Sequence, residues 1–243
     1  MGKLAKFMAV CCILFLSCGY FDDDEDSVII KNGKSSSSGQ SSNKSSSSEG
    51  LNTLQIDWQD ISEGYKSAVH GTMNIFLSPF KISKHLITQE QYELVMEENP
   101  SKGEKGNELP IEGITWFNAI EFCKKLSKLY GLEENAIRLP TEAEWEFAAC
   151  SASENADYCP PEPAIHRDVL YWEWTNDCYD SDFPYGGVTE DPSGPPNCLS
   201  TSNKVRKGSA MSIERRFSTN PSFDDIAGAH ISFRVVVRNR DYF

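Results

Sequence analysis

The stretch Arg138-Leu139-Pro140-Thr141-Glu142-Ala143-Glu144-Trp145-Glu146-Phe147-Ala148-Ala149 leaves the backbone few choices. Pro140 cannot continue the interior of a strand, and it biases Leu139 toward an extended conformation. Thr141 is then placed to cap a helix. Glu144, three residues on, completes a capping box: the hydroxyl takes a free N–H and the glutamate returns a bond to the cap. Glu142 and Glu144 also meet the positive end of the helix dipole. Trp145, Ala148 and Ala149 point inward. Glu142, Glu144 and Glu146 admit a second reading, as paired carboxylates for acid–base work, but capping and dipole explain their spacing.

Two further helices start on threonine. Thr88 with Gln91 is another capping box, and Tyr92, Val95 and Met96 form one apolar face before Asn99-Pro100 ends the helix. Thr115 opens a helix on which Trp116, Ala119, Ile120, Cys123 and Leu126 recur at helical spacing. Glu121, Lys124, Lys125 and Lys128 take its other side, and Gly131 is its natural stop. Met73 to Leu77 reads as a strand. After Cys150 the helical signals cease. Leu170 to Trp174, Val205 to Ala210 and Phe233 to Val237 are the best strand segments of a loop-rich second half. Helices early and short strands late define an α+β domain, placed at residues 57–243.

The chain has 243 residues, 39% of them hydrophobic, enough for one domain with a core. Its formal net charge of -13 argues against nucleic-acid binding, which needs a basic face to displace counterions. The N-terminus reads separately. Lys3 and Lys6 precede an apolar run from Phe7 to Leu16, too short to span a bilayer and suited to a secretion signal. It ends in Leu16-Ser17-Cys18-Gly19, which resembles the lipobox of bacterial lipoproteins. Residues 1–18 are therefore expected to be a signal whose Cys18 carries lipid; the alternative is an ordinary cleaved signal. Residues 19–56, with the acidic run Asp22 to Asp26 and serines at 35–38, 41–42 and 45–48, are expected to be a flexible tether. An acidic patch behind a lipidated cysteine resembles the export signal of some surface lipoproteins. The expected location is the cell envelope, lipid-anchored at the outer membrane or surface.

Five cysteines remain beyond the signal. Cys123 lies on an apolar helical face and reads as a buried free thiol. Cys150, Cys159, Cys178 and Cys198 allow three pairings, of which the local one, Cys150–Cys159 and Cys178–Cys198, is expected. Each bridge would contribute roughly 2–4 kcal/mol. None of the spacings is CxxC and the four histidines are scattered, so a structural metal is not expected.

Several segments in order resemble one family, the formylglycine-generating enzyme or sulfatase-modifying factor domain. Ile87 to Met96 (ITQEQYELVM), Leu109 to Trp116 (LPIEGITW), Asn118-Ala119 with Phe122-Cys123 and Leu126-Ser127, Arg138 to Ala149, Val205 to Ser209 (VRKGS) and Ser232-Phe233-Arg234 carry the resemblance. It implies a variant of the C-type lectin fold, with few helices and many short strands and loops. In catalytic members, a C-x4-C pair after the glycine–serine strand binds copper and converts a sulfatase cysteine to formylglycine. Here Ser212 and Phe217 stand at about those places, and no cysteine occurs after Cys198. Soft thiolates select Cu(I), so neither copper nor a catalytic residue is expected. The family's calcium motif survives in part: Glu173-Trp174 is kept, but Leu170 replaces an asparagine ligand. Glu173 is the calcium alternative, beside a hydrogen-bonding role in the core.

Family members display ligand-facing residues after the glycine–serine strand. Ser212, Glu214, Arg215, Arg216 and Phe217 are accordingly the expected ligand-binding residues. Two arginines beside an aromatic suit a carboxylate, phosphate or sugar; one of the two could equally be a buried structural ion pair. Ser212 with His230 as nucleophile and base lacks a nucleophile elbow and is set aside. The expected function is a non-catalytic, membrane-anchored module that binds an envelope protein or glycan, or scaffolds in a chaperone-like manner. The alternative is a formylglycine-generating oxidase acting on sulfatase cysteines.

Overall fold

Each helix begins where its threonine places it. In the computed structural model, α1 (Gln89–Met96) follows Thr88, whose hydroxyl accepts from the Gln91 N–H at 3.2 Å while the Thr88 N–H donates to Gln91 Oε1 at 2.9 Å. The helix closes at Glu97, which takes a left-handed φ of 64°. α2 (Trp116–Leu129) follows Thr115, and here Asn118 completes the box, with its N–H 3.1 Å from the Thr115 hydroxyl. α3 (Glu142–Ala149) follows Thr141; the Thr141 N–H donates to Glu144 Oε2 at 2.7 Å and the Glu144 N–H to Thr141 Oγ1 at 3.2 Å. Two orphan donors are satisfied at each start.

The structure describes residues 20–21, 27–30, 52–67, 73–149, 165–166, 170–179, 187–193, 204–208, 217–219 and 230–238. The strands among them are β1 (Tyr20–Phe21), β2 (Ser27–Ile30), β3 (Asn52–Gln55), β4 (Trp58–Ile61), β5 (Gly64–Ser67), β6 (Met73–Leu77), β7 (Phe80–Ser83), β8 (Ile137–Arg138), β9 (Trp172–Cys178), β10 (Gly187–Glu190), β11 (Lys204–Gly208), β12 (Phe217–Thr219), β13 (Ile231–Phe233) and β14 (Val236–Val237). They form small sheets ordered β1-β2-β3, β10-β6-β5, β12-β11-β9-β13 and β4-β7-β14-β8. Three helices and many strands in small sheets among the described residues make the chain α+β. Strands β1 to β3 fall within the stretch 19–56; Cys18 and the serine-rich run lie outside the described residues. No helix among the described residues is long and apolar enough to cross a membrane.

Two apolar clusters hold these elements. The first gathers Tyr92 of α1, Phe122 and Leu126 of α2, Ile137 and Leu139 around β8, and Phe233 and Val235 near the C-terminus. Tyr92 and Phe122 stack with centroids 5.5 Å apart, and Phe233 meets Phe122 edge-on at 5.1 Å. Buried Ser127 ties α2 to β8, donating to the Cys123 carbonyl at 2.9 Å and accepting from the Ile137 N–H at 3.0 Å. The second cluster lies under α3 and joins Trp145, Phe147 and Ala148 to Leu77, Ile82 and Val236. The sheet β12-β11-β9-β13 is thereby placed between α3 on one side and the start of α2 on the other.

Candidate functional site

The α3 side of that sheet is a buried lattice of charge. All eight residues of α3 are buried, three of them glutamates. Lys207 of β11 reaches Glu142 at 3.3 Å and Glu146 at 2.5 Å. Arg138 grips Glu144 with two bonds of 2.8 Å, and Arg238 approaches the same carboxylate at 3.0 Å. Burial pushes the Glu144 carboxyl up, but the charge and hydrogen bonds of Arg138 outweigh it and hold its pKa below the ordinary value. Glu144 is the capping residue the sequence indicates. Glu142 and Glu146 do more than face a dipole: both pair with one lysine more than sixty residues on in the chain, which no local pattern reveals. Asp177 accepts from the Glu142 N–H at 2.8 Å, and burial, reinforced by the Glu142 charge, raises its pKa to about 8.

Glu173, the calcium alternative, belongs to this lattice. Its Oε2 accepts from the Trp145 indole at 2.6 Å and from Arg234 Nε at 2.5 Å, and its Oε1 accepts from Arg234 Nη2 at 2.9 Å. Calcium takes six to eight oxygens, and both oxygens of this carboxylate already face a guanidinium. Among the described residues, no group of three or more His, Cys, Asp or Glu side chains is arranged to hold a metal ion. These residues do not fit calcium.

The α2 side of the same sheet carries cations among tryptophans. Their ring contacts put Lys204 and Arg206 of β11 on this side, opposite Cys178 and Trp174 of β9 across a register shift in the ladder. The Arg206 guanidinium lies 5.5 Å from the Trp172 ring centre and 5.7 Å from that of Trp174. Lys204 Nζ sits 4.0 Å above the Trp116 ring and 3.1 Å from Cys178 Sγ. Trp116 and Trp174 are fixed in turn, their indoles donating to the Thr175 and Ile114 carbonyls at 2.8 and 3.1 Å. Sequence reading treats β11 only as a motif strand. The signal it missed is the facing register, Arg206-Lys207-Gly208 against Trp174-Glu173-Trp172.

Gly208 ends β11 with a φ of +90°, and a Cβ there would stand 2.9 Å from the Tyr171 carbonyl oxygen. Only glycine suits that backbone, so the chain is aimed at this point into the segment expected to bind ligand. Of that segment, Ser212, Glu214, Arg215 and Arg216 lie outside the described residues. Phe217 is the first residue of β12, and its backbone pairs with Arg206 in the antiparallel register. His230, on the other flank of β9 at the same end of the sheet, holds a left-handed φ of 83° beside Tyr171, and its N–H donates to Glu112 Oε2 at 3.2 Å. Cys123 is buried and is the free thiol among the described residues, its pKa raised by burial. Cys178 is buried at the end of β9, while Cys150, Cys159 and Cys198 lie outside the described residues.

A separate cleft of about 670 Å³ opens between β4, β7 and the start of α1, lined by Asp57, Trp58, His85, Thr88, Gln91 and His166 among others. His85 and His166 lie with ring centres 5.7 Å apart, and His85 Nε2 is 3.5 Å from Asp57. Burial, more than the Asp57 charge can offset, lowers the His85 pKa.

This fold and these motifs have known counterparts. A family model described as the sulfatase-modifying factor enzyme 1-like domain matches residues 23–166, more than half of the chain. The chain belongs to that family. Chaperone protein LppX of Paenibacillus barcinonensis is 34% identical over 42% of this chain and 47% of its own length, so the match spans about half of that relative. Among solved structures, Treponema denticola variable protein 1 superposes with a TM-score of 0.56 at 20% identity, covering 78% of this chain and 97% of that one. CarF superposes with a TM-score of 0.53 at 17% identity, over 76% of this chain and 99% of the other. Both are likenesses of fold.

Proposed function

We propose that this chain is a non-catalytic binding or scaffolding module of a bacterial cell envelope, anchored through a lipid on Cys18 and held away from the membrane by its acidic and serine-rich stretch. One contrast carries the reading. The scaffold motifs of the family are intact and build a packed domain, while the chain after Cys198 has no sulfur with which to bind copper. Family membership brings the fold; function depends on the site grafted onto it. The relative named a chaperone protein is in keeping with a module that holds a partner.

The ligand-facing residues in this reading are Ser212, Glu214, Arg215, Arg216 and Phe217, and the partner is an envelope protein or glycan. Cys150–Cys159 and Cys178–Cys198 are the bridges that would tie down the loops around them. The test is affinity capture from envelope fractions with the tethered chain, followed by mass spectrometry. Alanine at Arg215, Arg216 and Phe217 together is expected to abolish capture with the melting temperature unchanged. Undiminished capture by that triple variant would place the binding surface elsewhere.

The second reading, a formylglycine-generating oxidase, is favoured by family membership alone. It requires a copper site that the residues after Gly208 do not supply.

A further inference from the structure

Arg206 is a cation without a counter-charge among the described residues. Among the described residues, no carboxylate pairs with it, and its Nε is buried without a hydrogen-bond acceptor. Burial alone lowers its pKa. Lys204, one strand repeat away on the same side, is buried against Trp116 and likewise has no ion pair among the described residues. Burial lowers the Lys204 pKa, and the Asp177 charge only partly opposes it. Among the described residues, the fully buried Lys207 and Arg234 do have carboxylates: Lys207 has Glu142 and Glu146, and Arg234 has Glu173. Two neighbouring exceptions on one side of one strand call for an explanation. Ring faces recover part of the desolvation cost of a guanidinium, but an unsatisfied buried donor remains expensive.

Resting on the reading of the chain as a binding module, we propose that Arg206, flanked by Trp172 and Trp174, is the anion subsite for an acidic saccharide, taking a single carboxylate in the guanidinium fork. A planar guanidinium matches a carboxylate with two parallel bonds. Buried Lys204 deepens the positive potential behind it without touching the ligand. The net charge of -13 repels polyanions as a whole, which disfavours nucleic acid and anionic lipid surfaces. A lone carboxylate on an otherwise neutral body escapes that penalty. Half-buried Trp172 beside the cation supplies a flat ring for the apolar side of a pyranose.

The experiment is calorimetric titration of the full chain with an oligosaccharide bearing one hexuronate and with its carboxyl-reduced neutral counterpart. The acidic sugar is expected to bind at least about tenfold more tightly than the neutral one, with a change in tryptophan emission. Arg206→Gln is expected to erase that difference, and Arg206→Lys, which keeps charge but not the fork, to recover part of it. Equal affinity for the acidic and neutral sugars in the unaltered chain overturns the proposal without any variant. So does a folded Arg206→Gln protein that keeps the preference. Envelope capture measured in parallel separates the two claims: a chain that captures its partner but ignores the hexuronate loses this subsite and keeps its role as a module.

Discussion

Arg234 and Glu173 meet in two parallel hydrogen bonds, Nε to Oε2 at 2.5 Å and Nη2 to Oε1 at 2.9 Å, and neither residue is more than 1% exposed. The remaining Arg234 nitrogens are also placed: Nη1 donates to the Ser83 and Lys84 carbonyls and Nη2 to that of His166. One side chain thus ties the C-terminal segment to β7, β9 and the His166 turn. Glu173→Gln would leave a buried guanidinium without its charge partner, a loss of about 3–5 kcal/mol. Urea unfolding monitored by tryptophan fluorescence measures it. Because both Glu173 oxygens are engaged, added calcium is expected to leave the unfolding midpoint of the unaltered chain where it is.

Asp177 gives the fold a pH dependence of unusual sign. Unfolded, its carboxyl loses a proton near 3.8; folded, burial and the adjacent Glu142 and Glu144 charges hold the proton to about pH 8, against the opposing pull of the Glu142 N–H and Arg138. Between those values the folded form binds the extra proton, so this group's contribution to stability falls as pH rises through the window. Asp177→Asn keeps an oxygen to accept from the Glu142 N–H and cannot ionise. The variant's melting temperature relative to the unaltered chain is expected to climb from pH 4 to 8 and level off above. A difference that stays flat would mean that Asp177 titrates normally.

Gly208→Ala should strain the end of β11, since the new methyl meets the Tyr171 carbonyl oxygen in a backbone conformation that side chains avoid. A cost of about 1–3 kcal/mol is expected, read from thermal unfolding. A neutral substitution would show that this turn relaxes freely.

Much of the architecture was legible in local sequence. The three threonine caps, the inward Trp145, the buried thiol of Cys123 and the strand Met73 to Leu77 follow from rules that span a few residues, and the structure has them. Boundaries moved where tertiary pairing decides them: the strand expected at Leu170 begins at Trp172 and runs on to Cys178, because β11 and β13 pair with it there. The segment expected as one strand from Phe233 to Val237 is divided by Arg234, whose side chain is drawn inward to Glu173. The charge lattice was not legible. Glu142 and Glu146 meet Lys207 only because β11 is laid against α3, a juxtaposition that no window of sequence contains. Arg206 escaped notice for the same reason: its tryptophans come from the facing strand.

The distinction between a binding module and an oxidase rests on one reaction. The full chain, reconstituted with Cu(I) under oxygen and incubated with a cysteine-containing sulfatase-motif peptide, is followed by mass spectrometry of the peptide and by copper titration of the protein. The expected result is an unchanged cysteine and no stoichiometric Cu(I) uptake, because no thiolate follows Cys198. Formylglycine in the peptide, formed in proportion to the protein added, would contradict the assignment.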